Sequence, residues 1–221
     1  MTPTEIPSEE VEFHQLSFAD TNGRVFWWKE KLYRGIGRER QDLYNRFLKP
    51  GVVQNLVKKG FLIETEATPY SMNDYPLILK HRVVPFVSYV FEWSSLMLKD
   101  AALALIEIAI ELAQEGLTLQ DAHPWNILFD GSKPIYVDFC SIIPARLDTL
   151  WPAADEFYRF FIYPLQLMSH GYSRIARWLL HDYEQGILDL ECEALVHNPF
   201  MHLAKELRPA IGVCVPCACE F

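Results

Sequence analysis

The feature that most constrains the fold is the apolar segment from Asp100 to Glu115. Its polar positions form one narrow stripe of a helix, and leucine, isoleucine and alanine side chains surround the rest of the circumference. The stripe consists of Glu107, Glu111, Gln114 and Glu115. We expect such a helix at the centre of a core, with Gly116 capping its C-terminus. The segment is too short and too charged to cross a bilayer, so we expect no membrane span.

The length and charge of the chain restrict its partners. It has 221 residues, of which 50% are hydrophobic and 22% charged, which excludes wholesale disorder and allows one ample domain or two lobes sharing a core. The formal net charge is −9, and lysine and arginine form no run. Because nucleic-acid binding depends on phosphate neutralisation, we expect no nucleic-acid partner. A nucleotide ligand remains compatible, since one Mg²⁺ ion and a few cationic groups suffice for it.

The termini and the cysteines favour a cytoplasmic location. The opening residues have neither the basic nor the apolar region of a secretory signal. The five cysteines are an odd number, and Cys214, Cys217 and Cys219 crowd near the end, which does not make a disulfide framework. Three thiolates are also too few for a closed zinc site. We therefore interpret residues 208–221 as a flexible tail.

Three short apolar or aromatic runs near the start predict an antiparallel meander. They are Phe13–Phe18, Arg24–Trp28 and Leu32–Arg34. The Asn-Gly pair at Asn22 and Gly23 is a strong hairpin-turn signal, because both residues tolerate positive φ, and residues 29–31 would form the second turn. Adjacent strand residues point to opposite faces, so we expect one of Trp27 and Trp28 in the core and the other towards a second lobe.

The remainder of the chain predicts a change from mixed to helical structure. Residues 37–59 indicate one or two helices broken at Pro50-Gly51, and strands are expected at 61–63, at 77–79 and at 83–91. Residues 92–95 form the connector. After Ser141 the pattern is helical to about Leu207, with a break or kink at Pro164. The order is thus a small β-rich lobe at residues 11–92 followed by a helical lobe at 96–207.

The candidate chemistry lies between residues 121 and 138. A strand at 127–129, a turn at Asp130-Gly131 and a strand at 135–137 predict a hairpin that brings Asn126 close to Asp138. An amide oxygen and a carboxylate suit Mg²⁺, which takes few protein ligands and leaves positions for phosphate oxygens.

Two further residues belong to this loop. Asp121 is placed to accept a proton from an attacking hydroxyl. His123 is expected to brace the loop by hydrogen bonds, in preference to ligating a metal ion.

The sequence Asp-Ala-His-Pro-Trp-Asn at 121–126, followed by Val-Asp-Phe at 137–139, resembles the catalytic and metal-binding segments of the protein-kinase-like superfamily. The His-Pro pair is most similar to the aminoglycoside and choline phosphotransferases. The resemblance implies a two-lobed α+β fold of the protein-kinase-like type, with ATP between the lobes. It also implies Asp121 as catalytic base, and Asn126 and Asp138 as Mg²⁺ ligands.

The remaining nucleotide contacts depart from the family pattern. Only Gly23, beside Asn22, stands where the family has a glycine-rich loop, and Arg34 is nearest to the position of the phosphate-pairing lysine. Lys29 and Lys31 are alternatives for that cation, and Glu39 is a weak candidate for its acidic partner.

Two further positions differ from the motifs of the family. Leu119 replaces a histidine that precedes the catalytic aspartate, and Cys140 replaces the glycine of the metal motif. From the position of the connector, we expect the adenine near Phe91, Glu92 and Trp93.

Two functions follow from these features. One is an ATP- and Mg²⁺-dependent phosphotransferase acting on the hydroxyl of a small molecule or sugar. The other is a catalytically weak kinase-like module that binds a nucleotide or a partner. Similar regions also precede S-adenosylmethionine-dependent methyltransferase domains in longer proteins, but this chain has no strand followed by a Gly-x-Gly turn with a ribose-binding acid downstream.

Overall fold

The computed structural model describes residues 3–15, 17, 22–146 and 150–197, and its architecture is mixed α+β, as predicted. The strands are β1 (Thr4–Glu5), β2 (Glu12–Phe13), β3 (Arg24–Trp28), β4 (Lys31–Ile36), β5 (Thr65–Ala67), β6 (Tyr70–Ser71), β7 (Leu77–His81), β8 (Leu117–Leu119), β9 (Ile127–Asp130), β10 (Lys133–Tyr136) and β11 (Ile142–Pro144). The α-helices are α1 (Gln41–Phe47), α2 (Val52–Lys59), α3 (Ser95–Gln114), α4 (Ala154–Phe157), α5 (Tyr163–Ser169), α6 (Ser173–Leu179) and α7 (Asp189–Val196). The predicted tail at 208–221 lies outside the described residues.

The main sheet is antiparallel and has the strand order β2-β3-β4-β7-β5. Its first three strands confirm the predicted meander. The turn between β3 and β4 is tight, with φ of 47° at Lys29 and 60° at Glu30. This left-handed pair matches the twist of a two-residue hairpin, although neither residue is the usual glycine or asparagine. Leu16 and residues 18–21, which include part of the first predicted turn, lie outside the described residues.

The two faces of this sheet have different roles. One face carries Phe26, Trp28 and Tyr33, which are buried together in an aromatic cluster. The alternating residues of the same strands line a cavity on the other face. Trp28 is in the core and Trp27 lines the cavity, so the opposite placement of the two tryptophans is confirmed.

Two of the predicted strands are wrong. Residues 61–63 make only an isolated bridge between Leu62 and Tyr136. Residues 82–89 contain no strand, and Val90–Glu92 is a 3-10 helix. Pro85 cannot donate to a β-ladder, and Phe86 is 74% exposed, so the β-branched and aromatic composition here does not reflect pairing in a sheet.

The predicted central helix is confirmed as α3, which begins at Ser95 instead of Asp100. The Ser94 hydroxyl accepts a hydrogen bond from the Met97 amide at 3.2 Å and caps the helix. Gly116 has a φ of 67°, as its capping position requires. The apolar side chains are not buried around the whole helix as expected: Leu103 is 59% exposed, whereas Leu105 on the opposite side is buried in the core.

The part of the chain after α3 frames the site with short hairpins and helices. Strand β9 pairs with β10, and β8 pairs with β11, both antiparallel. Helices α4 and α5 are joined by a π-helix, Tyr158–Ile162, which lies directly before the predicted kink at Pro164. A proline in this position lacks the N–H for the regular helical hydrogen bond, so the wider turn accommodates it. Within the described ranges, every helix is too short or too polar to cross a membrane.

Candidate active site

A cavity of about 720 Å³ lies between the main sheet and the segment that follows α3. We call its two sides the sheet wall and the loop wall. The sheet wall consists of Val25, Trp27, Leu32, Arg34 and His81. The loop wall consists of Gln120, Asp121, Trp125, Asn126 and Asp138.

The β9–β10 hairpin positions two of the predicted site residues. Ile127 pairs with Tyr136, and the Val137 amide donates to the Asn126 carbonyl at 2.8 Å, which extends the ladder by one step. Asn126, the residue before β9, therefore lies opposite Val137, which follows β10 and directly precedes Asp138. Both side chains line the cavity, so the structure brings them together as the sequence predicts.

Asp121 lies beside them and is held by several donors. The Asn126 side-chain amide donates to Asp121 Oδ1 at 2.6 Å, and the His123 amide donates to the same oxygen at 3.3 Å. The Tyr136 hydroxyl is 3.4 Å from it. Every hydrogen bond that reaches this carboxylate from the described residues goes to Oδ1.

The electrostatic environment favours the protonated form of Asp121. Burial, together with the nearby carboxylates of Asp138 and Glu156, raises the pKa of its carboxyl to about 6 against the opposing hydrogen bonds from His123 and Asn126. A general base is most useful when its pKa lies near the operating pH. The carboxyl is therefore suited to exchange a proton in the neutral range.

The loop itself is braced by residues at both ends. His123 accepts a hydrogen bond from the Trp125 amide at its Nδ1 atom, and its Nε2 atom lies 2.8 Å from the Tyr183 carbonyl. Both ring nitrogens are therefore engaged, as the bracing role predicts. Glu156, which we did not anticipate from the sequence, accepts a hydrogen bond from the Ala122 amide at 2.6 Å. Because α4 delivers Glu156 from 34 positions along the chain, no local motif could have identified it.

Arg34 and Asp138 join the two walls. Their nearest side-chain atoms are 2.9 Å apart, and the side chains are 8% and 17% exposed. Arg34 thus reaches the cavity from the third strand of the meander, as predicted. The weak prediction of Glu39 as its acidic partner is wrong, because Glu39 is exposed and the carboxylate in contact is Asp138.

Asn22 and Gly23 take structural positions at the deep end of the site. Asn22 donates from its side chain to Gln120 and to the Cys140 carbonyl, both at 3.2 Å, and it also lines the cavity. A Cβ atom on Gly23 would lie 2.9 Å from the Gly35 carbonyl oxygen, so glycine permits the close approach to β4. Gly23 is not among the described residues that line the cavity.

Cys140 fits its position without the conformational freedom of glycine. It lies in the 3-10 helix Phe139–Ser141 and is buried. Its carbonyl accepts a hydrogen bond from the Tyr44 hydroxyl at 2.8 Å, so helix α1 also holds the metal motif. Tyr44 is another residue that the sequence did not single out, since it is distant in the chain.

The residues expected near the adenine pack outside the cavity. Phe91 stacks on His181 with ring centroids 4.0 Å apart, and buried Trp93 donates to the Ser88 hydroxyl at 3.0 Å. Glu92 accepts a hydrogen bond from the Tyr89 amide at 2.7 Å. None of Phe91, Glu92 and Trp93 is among the described residues that line the cavity. They anchor the end of the connector, and residues further towards the N-terminus replace them in the cavity: Arg82, Val83, Val84 and Val87.

The donor atoms around Asp138 fit a Mg²⁺ ion. The contacts of Asp138 with Arg34 and with the Cys140 amide both go to Oδ1. The Asn126 side chain directs its nitrogen to Asp121, so its oxygen and the second oxygen of Asp138 are the atoms that would hold a cation. The described residues contain no group of three or more His, Cys, Asp or Glu side chains that would form a fuller metal centre.

No family model matches the chain. The chain is similar to the nodulation protein NoeA of Rhizobium meliloti (strain 1021), with 30% identity over 158 residues. The match covers 69% of this chain and 33% of that protein, so the chain spans about a third of the length of its curated relative.

Proposed function

We propose that this chain is a two-lobed, kinase-like domain that transfers a phosphoryl group from ATP to the hydroxyl of a small molecule or sugar. In this proposal residues 11–92 form the nucleotide-binding lobe and residues 96–207 the helical lobe. The observation that carries the proposal is the convergence of Asp121, Asn126 and Asp138 on one wall of a cavity whose opposite wall supplies Arg34. A base, two oxygen ligands and one cation are what phosphoryl transfer requires.

The transfer step follows from the positions of these groups. The acceptor hydroxyl is held near Asp121 Oδ2, and its oxygen attacks the terminal phosphorus of ATP. The new O–P bond forms as the bond to the bridging oxygen of ADP breaks, and the hydroxyl proton passes to Asp121. Asn126 holds the Asp121 carboxylate in place through its bond to Oδ1. Mg²⁺ bound at Asn126 and Asp138 would neutralise charge on the phosphates.

Arg34 takes the place of the usual lysine in this proposal. Its guanidinium is planar and always charged, so it can hold a phosphate oxygen while keeping contact with Asp138. The acceptor would enter beside Trp125 and Tyr183, which line the cavity near Asp121.

A second candidate function is nucleotide or partner binding without catalysis. The observation that favours it is the ion pair of Arg34 with Asp138, because this contact competes with a metal ion for the same carboxylate. The two candidates differ in whether ATP turns over once it has bound. The similarity to NoeA covers only part of that protein, so we propose that a related unit is one part of the longer relative.

Calorimetry and thermal unfolding with Mg-ATP test the proposal. A ligand that binds only the folded state adds about 2.7 kcal/mol of stability at a hundred times its dissociation constant. We expect a rise in melting temperature that needs both Mg²⁺ and ATP, and that Asp138→Asn abolishes. Asp100→Asn is the matched control, since Asp100 is exposed on α3. Binding without hydrolysis or transfer would favour the second candidate, and absence of both heat and thermal shift would exclude a nucleotide site.

A further inference from the structure

Helix α3 carries a row of apolar side chains on its solvent side that the proposed function does not use. Leu96 is 65% exposed, Leu103 59% and Ile110 52%. They are spaced seven residues apart, which falls about 20° short of two full helical turns, so the three side chains form a nearly straight row. The opposite side of the helix packs into the core through Leu105 and Ile108.

Two charged residues of α3 flank this row. Lys99 lies four residues before Leu103 and Glu107 four residues after it, and both are exposed. Four residues correspond to about 40° around the helix, so the two side chains lie beside the row, one on each side. Neither forms a salt bridge with another described residue. We call the five residues Leu96, Lys99, Leu103, Glu107 and Ile110 the α3 stripe.

The spacing of the apolar residues in the α3 stripe suits contact with another helix. Single exposed apolar residues are ordinary on a protein surface, whereas a contiguous row of them marks an interaction surface. From Leu96 to Ile110 the row is about 21 Å long, at 1.5 Å per residue. Apolar residues at seven-residue intervals are the pattern with which two helices pack lengthwise against each other. The partner that fits the stripe is therefore a second helix with a similar row.

The order of residues in the α3 stripe is complementary to its own reverse. From the N-terminal end the order is apolar, positive, apolar, negative, apolar. In two copies that meet antiparallel about a two-fold axis at Leu103, Leu96 is level with Ile110 of the second copy. Lys99 is likewise level with Glu107 of the second copy, and its long side chain can reach across. A parallel arrangement would set lysine level with lysine and glutamate level with glutamate, and like charges repel.

We propose that this protein forms a homodimer through the α3 stripe, with the two α3 helices antiparallel. The apolar residues exclude water at the centre of the interface, and the charged pairs form at its margins. Because the two-fold axis repeats every contact, the interface contains the pair of Lys99 with Glu107 twice. The proposal does not depend on the nucleotide site, since no residue of the stripe is among the described residues that line the cavity.

Analytical ultracentrifugation of the full chain under reducing conditions tests the proposal. We expect a reversible equilibrium between monomer and dimer at micromolar concentrations, because one pair of helices makes an interface at the weak end of the known range. Leu103→Glu sets two carboxylates against each other on the axis and should raise the dissociation constant at least about 30-fold. Leu190→Glu is the matched control, since Leu190 is an exposed leucine of α7, and it should leave the dissociation constant unchanged.

Exchange of the two charges tests the antiparallel arrangement. Lys99→Glu and Glu107→Lys each turn both attractive pairs of the dimer into repulsive pairs, so each should raise the dissociation constant about tenfold. The double variant Lys99→Glu/Glu107→Lys has opposite charges level with each other again and should associate like the unmodified protein. An equimolar mixture of the two single variants should also associate, because two glutamates of one copy then meet two lysines of the other.

Each outcome either supports the dimer or overturns it. All of these substitutions are at exposed positions, and circular dichroism verifies that the variants remain folded. A protein that stays monomeric throughout the micromolar range would leave the α3 stripe to a different partner and overturn the proposal. A dimer that Leu103→Glu and Leu190→Glu form equally well would place the contact on another surface. Association of the double variant as weak as that of the single variants would exclude the antiparallel arrangement, and the proposal with it.

Discussion

The two walls of the cavity differ in how the chain builds them. The loop wall comes from one continuous stretch, residues 120–138, within which the Asn126 side chain donates to Asp121. The sheet wall is assembled from three strands, and apolar side chains surround one arginine and one histidine. The side chains of the loop wall are therefore brought together by local structure, whereas those of the sheet wall depend on the register of strands that are distant in the sequence.

The walls meet at their deep end through a few contacts. Arg34 contacts Asp138, and Asn22 donates to both Gln120 and the Cys140 carbonyl. Any change that loosens one of these contacts affects both the charge balance of the loop wall and the position of the sheet wall. Substitutions confined to one wall should therefore separate turnover from binding, and substitutions at the junction should affect both.

The largest difference between the effects on turnover and on binding is expected for Asp121→Asn, which alters only the loop wall. Loss of a positioned base lowers the rate of proton transfer by about 10²- to 10⁴-fold. Binding of Mg-ATP should change little, because Asp121 faces the acceptor. Hydrolysis of ATP, with water as the acceptor, measures the rate before an acceptor is known, and calorimetry measures the affinity.

Asp100→Asn is again the control for the removal of one carboxylate. Equal losses of nucleotide affinity in Asp121→Asn and Asp138→Asn would contradict the different roles given to these two residues.

Asp138→Asn changes the junction, and we expect it to impair both stability and binding. The substitution removes the carboxylate that contacts the buried Arg34 guanidinium, and breaking such a pair destabilises a fold by about 3 kcal/mol. Mg-ATP affinity should fall as well, since a negatively charged metal ligand is lost. Urea unfolding and calorimetry measure the two effects.

The double variant Arg34→Met/Asp138→Asn tests whether the two charges act as a pair. It should recover part of the stability but none of the nucleotide affinity. If the double variant loses as much stability as Arg34→Met and Asp138→Asn lose together, the ion pair contributes nothing to the fold.

The sequence predicted the loop wall better than the sheet wall, for physical reasons. The β9–β10 hairpin is fixed by short-range turn chemistry at Gly131, where φ is 63°, so Asn126 and Asp138 were paired correctly. The expected strand at 83–91 does not form, because Pro85 and exposure to solvent outweigh β-propensity. The residues expected near the adenine, Phe91, Glu92 and Trp93, do not line the cavity for the same reason, since that expectation depended on where the last strand of the sheet ends.

Other site residues were beyond local pattern analysis. His81 is an ordinary residue in an apolar run, and only the structure shows that its Nδ1 atom lies 2.8 Å from the Thr65 hydroxyl. Tyr44 and Glu156 bond to backbone atoms far away in the chain, at Cys140 and Ala122 respectively. Backbone partners leave no pattern in side-chain identity, so these two contacts require the tertiary structure.

Substitutions of Arg34 sharpen the role of the sheet wall. Arg34→Ala should weaken Mg-ATP binding by about 30-fold, because a charge-assisted hydrogen bond to phosphate is lost. Lys29→Ala and Lys31→Ala are the matched controls, since Lys29 lies in the β3–β4 turn and Lys31 is exposed. Arg34→Lys should retain most of the binding, and turnover at or above that of the unmodified protein would identify position 34 as that of the usual lysine. Unchanged affinity in Arg34→Ala would require another phosphate partner.

The smallest expected effect is a dependence of stability on pH that comes from Asp121 alone. The folded state raises the pKa of this carboxyl from 3.8 to about 6, so the folded state holds the proton more tightly than the unfolded state. The stabilising effect is complete below the unfolded value and is lost as the pH rises through about 6. Asp121→Asn carries no such charge, so its free energy of unfolding should exceed that of the unmodified protein by about 1 to 2 kcal/mol at pH 8 and should approach it only near pH 4. Urea unfolding at these two pH values measures the difference, and Asp100→Asn should show none. A stability difference that grows as the pH falls would mean that Asp121 is stabilised as a carboxylate, and the loop wall would then favour a resident cation over a proton-accepting base.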